Sequence, residues 1–206
     1  MDVWNEVAGG RHRLADRIDG LGPDALDGPS WCGGWRGRDV LGHLVYLAEA
    51  SQAGVWLDVV RLGPRPDRAL DRRARELGEL PVPELTERLR GAAEGRFHIL
   101  GTPAVVVVGE LLVHGNDLLA PLGEEVEVAP EVAAGVAPTY HRVGKFAFGG
   151  NPTRGVSLVA DDADLRLGDG PEVRGRAFDL VLLLANRRQA LDRLEGPGVE
   201  VVSARG

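Results

Sequence analysis

A single cysteine, Cys32, among 206 residues excludes an intrachain disulfide and any cysteine-based metal cluster. Lysine is almost missing as well. Lys145 stands alone against a large arginine complement, and with plentiful Ala, Gly and Pro this bias fits a GC-rich genome. No apolar run is read as reaching the ~20 residues of a membrane span, and Met1 to Val7 has neither the basic start nor the apolar core of a signal peptide. A cytoplasmic protein that does not engage a membrane is therefore expected. The net charge of −7 denies the chain a general basic surface for nucleic acid or anionic lipid. The arginine-rich stretch from Arg61 to Arg75 also carries Asp67 and Asp71, which makes it a solvated segment of mixed charge. Cys32 reads as a small buried side chain in the Trp31 to Trp35 loop, because only Arg36 beside it would favour a thiolate.

What is present is enough apolar material, 44% of residues, for a sizeable core. Val3, Val7, Leu14, Ile18 and Leu21 predict a first helix ending near Gly20, with His12 on its polar face. A Gly- and Pro-rich connection, Gly22 to Gly37, carries two tryptophans and is expected to pack back on the fold. One helix is predicted from Arg38 to Leu62, ending at the Pro64 to Pro66 break. Arg68 to Leu80 reads as a short helix or a lid, and Pro81 to Leu100 as an amphipathic helix through Phe97. The β-branched run Val105 to Val108 leads unbroken into the next helix and is read as its first turns. Helices with these connections make a four-helix bundle over residues 1–128. Residues 129–150 predict a linker helix interrupted at Pro138, with a turn and boundary at Gly149 to Pro152. Residues 151–206 read as a small α+β domain: hairpin strands from Gly155 and Ala163, a helix from Arg176 to Leu194, and a final strand from Gly198.

The chemistry is concentrated between Val107 and Leu122. Glu110 and His114 are four residues apart, a step that returns to within ~40° on a helix, so both can point at one ion. Asp117 continues the stripe, nearly two turns from Glu110, and is expected to orient a ligand or bound water rather than to ligate. Apolar Leu111, Leu112, Val113, Leu118 and Leu119 flank the stripe, which argues for partial burial. The same Glu–His spacing also describes a plain helix ion pair. A third ligand is best sought in His43, within a helical run of Val40, Leu44, Leu47 and Ala48, where a satisfied core histidine is the alternative.

The block Pro29-Ser-Trp-Cys-Gly-Gly-Trp-Arg-Gly-Arg-Asp-Val-Leu-Gly-His-Leu, followed about seventy residues later by Glu110-Leu-Leu-Val-His-Gly-Asn-Asp, resembles the two signature blocks of the mycothiol-dependent maleylpyruvate isomerase family. The resemblance implies a DinB-like, up-down metal-binding four-helix bundle followed by a sterol-carrier-like α+β domain, in actinobacterial hosts. It implies zinc held by His43, Glu110 and His114; nickel could take its place on such N/O donors. It further implies mycothiol as thiol cosubstrate, activated for isomerisation or conjugation of a small electrophilic acid. Arg187, with Arg188 one residue away, would bind the acid's carboxylates through the bidentate guanidinium fork. The chain departs from the family pattern at Asn116, often aromatic there, and at Asn186, usually glycine. A monomer or homodimer is expected. The rival readings are a non-catalytic metal-binding module and a carrier that binds an apolar ligand in the C-terminal domain.

Overall fold

The first helix, α1 (Val3–Asp19), starts where the Asp2 carboxylate accepts hydrogen bonds from the amides of Trp4 and Asn5, an N-cap that satisfies two otherwise orphaned donors. It buries Val7, Leu14, Ala15 and Ile18, as its spacing predicts. In the computed structural model residues 1–22, 24–62, 66–147 and 152–205 are described. Contacts divide them into an N-terminal unit, Asp2–Glu127, and a C-terminal unit that runs from Val128 and includes Met1. The break read at Pro64 and the turn read at Gly149 to Asn151 lie outside the described residues.

In the N-terminal unit, α2 (Gly37–Glu49) is capped by Asp39, whose carboxylate accepts the Arg36 amide. The single helix expected over 38–62 is two. Ala50 turns extended (ψ 152°), and the Ser51 hydroxyl accepts the Gly54 amide to start α3 (Gln52–Leu62). The undecided segment around Arg68 to Leu80 is a helix, α4 (Pro66–Gly78). The helix expected to continue to Leu100 stops early, as α5 (Val82–Gly91). The reason is distant in sequence: the buried Arg11 guanidinium donates to the carbonyl oxygens of Ala92, Ala93 and Gly95 at 2.8–3.0 Å, taking up the acceptors that the helix end leaves. Leu100 is consequently exposed rather than part of the stripe. Helix α6 (Val105–Leu119) begins at the β-branched run as read.

Helices α1 and α2 each touch both α5 and α6, which closes a four-helix ring around Leu14, Ile18, Leu41, Leu44, Leu85, Leu89, Leu111 and Leu118. Contrary to the sequence reading, one stretch, Val105–Leu122, is long and apolar enough to cross a membrane. Val108, Leu111, Leu118 and Leu119 of that stretch are buried in the protein, as in the core helix of a bundle. Outside the ring, α4 lies on α2, and α3 touches α4. Gly42 permits that approach: a Cβ there would come 2.5 Å from the Ala74 carbonyl oxygen and 2.9 Å from the Gly78 amide.

The C-terminal unit begins with α7 (Pro130–Ala147), one helix through Pro138 that packs on α8 (Ala177–Leu184) rather than standing apart as a linker. Its sheet has the order β2-β1-β3: β1 (Ser157–Ala160) pairs antiparallel with β2 (Arg166–Leu167), the hairpin expected, and parallel with β3 (Glu172–Gly175). All residues of α8 are buried, and the helix expected to run to Leu194 ends at Ala185, before the left-handed Asn186 (φ 62°), and resumes as a 3-10 turn over Arg188–Arg193. The terminal segment is helical, α9 (Pro197–Ser203), where a strand was expected. Pro197 in the first turn fixes a helical φ, and the β-branched Val199, Val201 and Val202 follow it into the helix. The fold is α+β, with the helical unit first.

Candidate metal centre

His43 projects from the middle of α2 and Glu110 and His114 from successive turns of α6, and the contact between these two helices brings the three together. One carboxylate oxygen, Glu110 Oε2, lies 3.7 Å from His43 Nε2 and 3.4 Å from His114 Nε2. The imidazole rings meet edge to face with centroids 4.9 Å apart. Donor atoms of all three lie within 4.8 Å of one another. Around a tetrahedral ion with bonds of about 2.0–2.1 Å, neighbouring ligand atoms stand ~3.3–3.5 Å apart, close to the separations found here. The first distance is too long for a hydrogen bond, and among the described residues both ring nitrogens of His43 are buried without a hydrogen-bond partner. A buried imidazole left in that state is costly unless something else takes its lone pair, so the donor set fits a divalent ion.

The second imidazole is held differently. His114 Nδ1 is 3.0 Å from Asp117 Oδ2, and Asp117 is fully buried. This contact orients the ring and leaves Nε2 toward Glu110, the arrangement in which a carboxylate steadies a ligating histidine. Asp117 in turn is anchored through its own carbonyl oxygen, which accepts the Trp31 amide at 2.9 Å. Glu110, with a quarter of its side chain exposed, is the most open of the set.

Burial alone would raise the Glu110 carboxyl, but His114 and His43 pull it well below the ordinary range. Burial lowers His43, with Glu110 opposing. At His114 burial is outweighed by Asp117, the Cys32 thiol and Glu110, which raise it well above its ordinary value. Both shifts favour a carboxylate paired with a protonated His114, and an ion bound there would compete with that proton.

The loop between α1 and α2 forms the rest of the wall. Ser30 Oγ accepts the Cys32 amide and reaches the Trp35 carbonyl oxygen at 2.9 Å, folding the loop so that Cys32 and Trp35 face the cluster. Cys32 is half-buried and stands with His114 and Asp117 in a second close group, so its surroundings are richer than the inert loop position the sequence implied. The Trp35 ring lies 5.3 Å from His43 and 6.4 Å from His114, and its Nε1–H donates to Asp71 on α4 at 2.6 Å. Neither residue's part was legible in sequence. The Trp35–Asp71 pair spans 36 positions, and the only local signal was a pair of tryptophans in a long loop.

Arg187 belongs to the C-terminal unit, where its guanidinium donates to the Ala185 carbonyl oxygen. Its alternative, Arg188, donates to the carbonyl oxygens of Val202 and Ser203 at the end of α9, a helix-terminus contact. Asn186 takes a left-handed backbone (φ 62°), the conformation that glycine adopts freely and asparagine tolerates best among the others. The departure from glycine at this position therefore keeps the turn. Asn116 is buried with its Nδ2 unpartnered among the described residues.

Residues 7–98 match the family model described as the mycothiol maleylpyruvate isomerase N-terminal domain. The matched stretch contains His43 and ends before Glu110 and His114. No curated protein matches the chain in sequence. Two solved structures are similar over nearly the whole chain, both crystal structures of the mycothiol-dependent maleylpyruvate isomerase. One, of a mutant, shares 14% identity at a TM-score of 0.62. The other shares 16% at 0.61. Each likeness covers 95% of this chain and 92% of the other. At such identity it is a likeness of fold, and it agrees with the family that the two sequence blocks resemble.

Proposed function

We propose that this chain, whose N-terminal part carries the mycothiol maleylpyruvate isomerase domain, is a metal-dependent enzyme that uses a low-molecular-weight thiol, mycothiol, on a small electrophilic acid. The observation that carries the reading is the convergence of His43, Glu110 and His114 at ligand spacing, with the His43 nitrogens unpartnered. A divalent ion there, zinc in this reading, supplies Lewis acidity that favours the thiolate form of a thiol. The chain's own residues do the rest. Asp117 fixes the His114 ring, the partly exposed Glu110 side admits a ligand, and Trp35 covers the imidazoles. Thiolate addition to an activated cis double bond, rotation and expulsion of the thiolate would give isomerisation, and addition followed by protonation of the carbanion carbon would give conjugation. Arg187 is proposed to hold the acid's carboxylate, since an acidic protein needs a local arginine to accept an anion. A cytoplasmic setting follows from the same reading, because small thiols are kept reduced there.

The test is elemental analysis and calorimetric titration of the purified chain with zinc, then with mycothiol, then a turnover screen with maleylpyruvate and related unsaturated acids. About one ion per chain, lost in His114→Ala, with saturable thiol binding that needs the ion, is the expected result. Equal metal content in wild type and His114→Ala removes the metal reading. Metal without thiol binding removes the enzyme reading and leaves a non-catalytic module. Arg187→Ala should reduce acid turnover far more than thiol binding.

A further inference from the structure

The two imidazoles of the cluster are steadied by unlike means, and the difference assigns a role to residues outside the donor set. His114 has a buried carboxylate on its second nitrogen, the usual device for fixing a ligand ring. His43 has no such partner among the described residues: neither nitrogen is hydrogen-bonded, and its ring contacts are His114 and the indole of Trp35 at 5.3 Å, tilted 49°. A ring held only by packing is held as firmly as the group it packs on. The Trp35 indole is in turn fixed at its far end, where Nε1–H donates to Asp71 Oδ1 at 2.6 Å. Asp71 is itself braced by Arg75, whose Nε reaches both carboxylate oxygens at 3.2–3.3 Å and whose Nη2 donates to the Gly34 carbonyl oxygen, next to Trp35 in the chain. Both residues sit on α4, which comes backbone to backbone against α2 at Gly42, the residue before His43.

We propose that Trp35 and Asp71 are positioning residues for the metal centre: α4, through Asp71, holds the indole against His43 and so sets that ligand's orientation in place of a carboxylate. The inference rests on the metal reading of the site. It adds that helix α4, which supplies no ligand to the donor set, is part of the site's machinery. Loosening α4 then loosens one ligand of three while leaving the His114–Asp117 arm intact.

The experiment is a cobalt(II) titration of the full chain, read by calorimetry and by the visible spectrum of the bound ion, in wild type, Trp35→Ala, Trp35→Phe, Asp71→Ala and the double variant Trp35→Phe/Asp71→Ala. Loss of an outer partner of a ligand weakens metal affinity ~10–100-fold. That range is expected for Trp35→Ala, with an altered spectrum, and a smaller loss of the same sign for Asp71→Ala. Trp35→Phe keeps a ring against His43 but has no N–H for Asp71, so adding Asp71→Ala to it should change affinity no further, the signature of two residues acting through one contact. A purely structural role would lower melting temperatures and leave the dissociation constant and spectrum unmoved. Unchanged affinity and spectrum in Trp35→Ala, or a full additional loss from Asp71→Ala in the Trp35→Phe background, overturns the proposal. Should Trp35→Ala not fold, the Phe-background comparison decides alone. Wild type that binds no cobalt removes the metal reading itself, a failure distinct from wild-type binding with unaffected variants.

Discussion

The two walls of the candidate centre are built on opposite principles. On one side α1, α2, α5 and α6 interlock through side chains that are almost wholly removed from water, Leu41, Leu85, Leu89 and Leu118 among them. On the other side the described part of α4 fully buries only small residues, Ala69, Ala74 and Gly78, with Leu77 packed in part on the core, and its side-chain ties are ionic or polar: Arg73 to Asp58, Arg75 to the Gly34 carbonyl oxygen, Asp71 to Trp35. Apolar packing gives the larger and less salt-sensitive share of stability, while partly exposed ion pairs give little each. The donors on α6 are therefore mounted on the rigid half, and the wedge that steadies His43 depends on the weaker one. The sharpest way to break this comparison is to attack the strong wall. Leu118→Ala and Leu41→Ala should each cost about 2–5 kcal/mol of unfolding free energy, measured by denaturant titration, because both delete fully packed side chains in the ring. A loss below about 1 kcal/mol at both sites would show that the bundle is not the dominant source of stability.

A smaller effect is expected where the two walls touch. Gly42→Ala would place a methyl 2.5 Å from the Ala74 carbonyl oxygen and 3.1 Å from Leu77 Cβ, so α4 must move outward. A cost of about 1–3 kcal/mol is expected, the range for overpacking. Since the shift carries Asp71 away from Trp35, the indole fluorescence should change with it. The comparison would fail if the melting temperature fell and the fluorescence of Trp35 stayed that of wild type, because α4 would then not control the wedge.

The grouping of the site's side chains was legible because it is periodic. Glu110, His114 and Asp117 fall on one face of α6 by spacing alone, and His43 stands out as a histidine in an apolar helical run. The α+β class was equally readable, from the alternating strand pattern that follows Gly155. What escaped depends on partners far apart in the chain. The early end of α5 is decided by Arg11, some eighty residues away, and the Trp35–Asp71 contact by the docking of α4. The α2–α3 break turns on the backbone of Ala50, a residue with no local signature for it. At the C-terminus the β-branched run Val199 to Val202 argued for a strand, and Pro197 with the left-handed Gly196 before it (φ 99°) overrode that preference. Asn186 is a case where a departure from the family pattern, alarming in sequence, disappears once its left-handed backbone is seen.

The smallest effect belongs to the polar knot that ties α3 to α2 and α4, and it should reveal itself through pH. The Tyr46 hydroxyl donates to Asp58 Oδ2 at 2.9 Å, and Arg73 donates to both Asp58 oxygens. Arg73, aided by the Tyr46 hydroxyl and opposed by burial, holds Asp58 below its ordinary value of 3.8. Burial and Asp58 push Tyr46 up from 10.0 to about 12. For the acid the folded state binds the proton less readily than the unfolded chain, so the contribution is complete above pH 3.8 and is lost as pH falls through the lowered value. For the phenol the folded state binds the proton more readily, so the contribution is complete below pH 10 and is lost as pH rises toward about 12. Asp58→Asn should remove the acid edge at a cost of about 1 kcal/mol near neutrality, and Tyr46→Phe should remove the alkaline edge. In both variants the stability conferred by the apolar ring should be untouched between these limits. Thermal melts of the three proteins across pH 3 to 11.5 check this. An alkaline decline that survives Tyr46→Phe unchanged would assign it to another group, and an equal loss at every pH in Asp58→Asn would mean that the knot stabilises by packing rather than by charge.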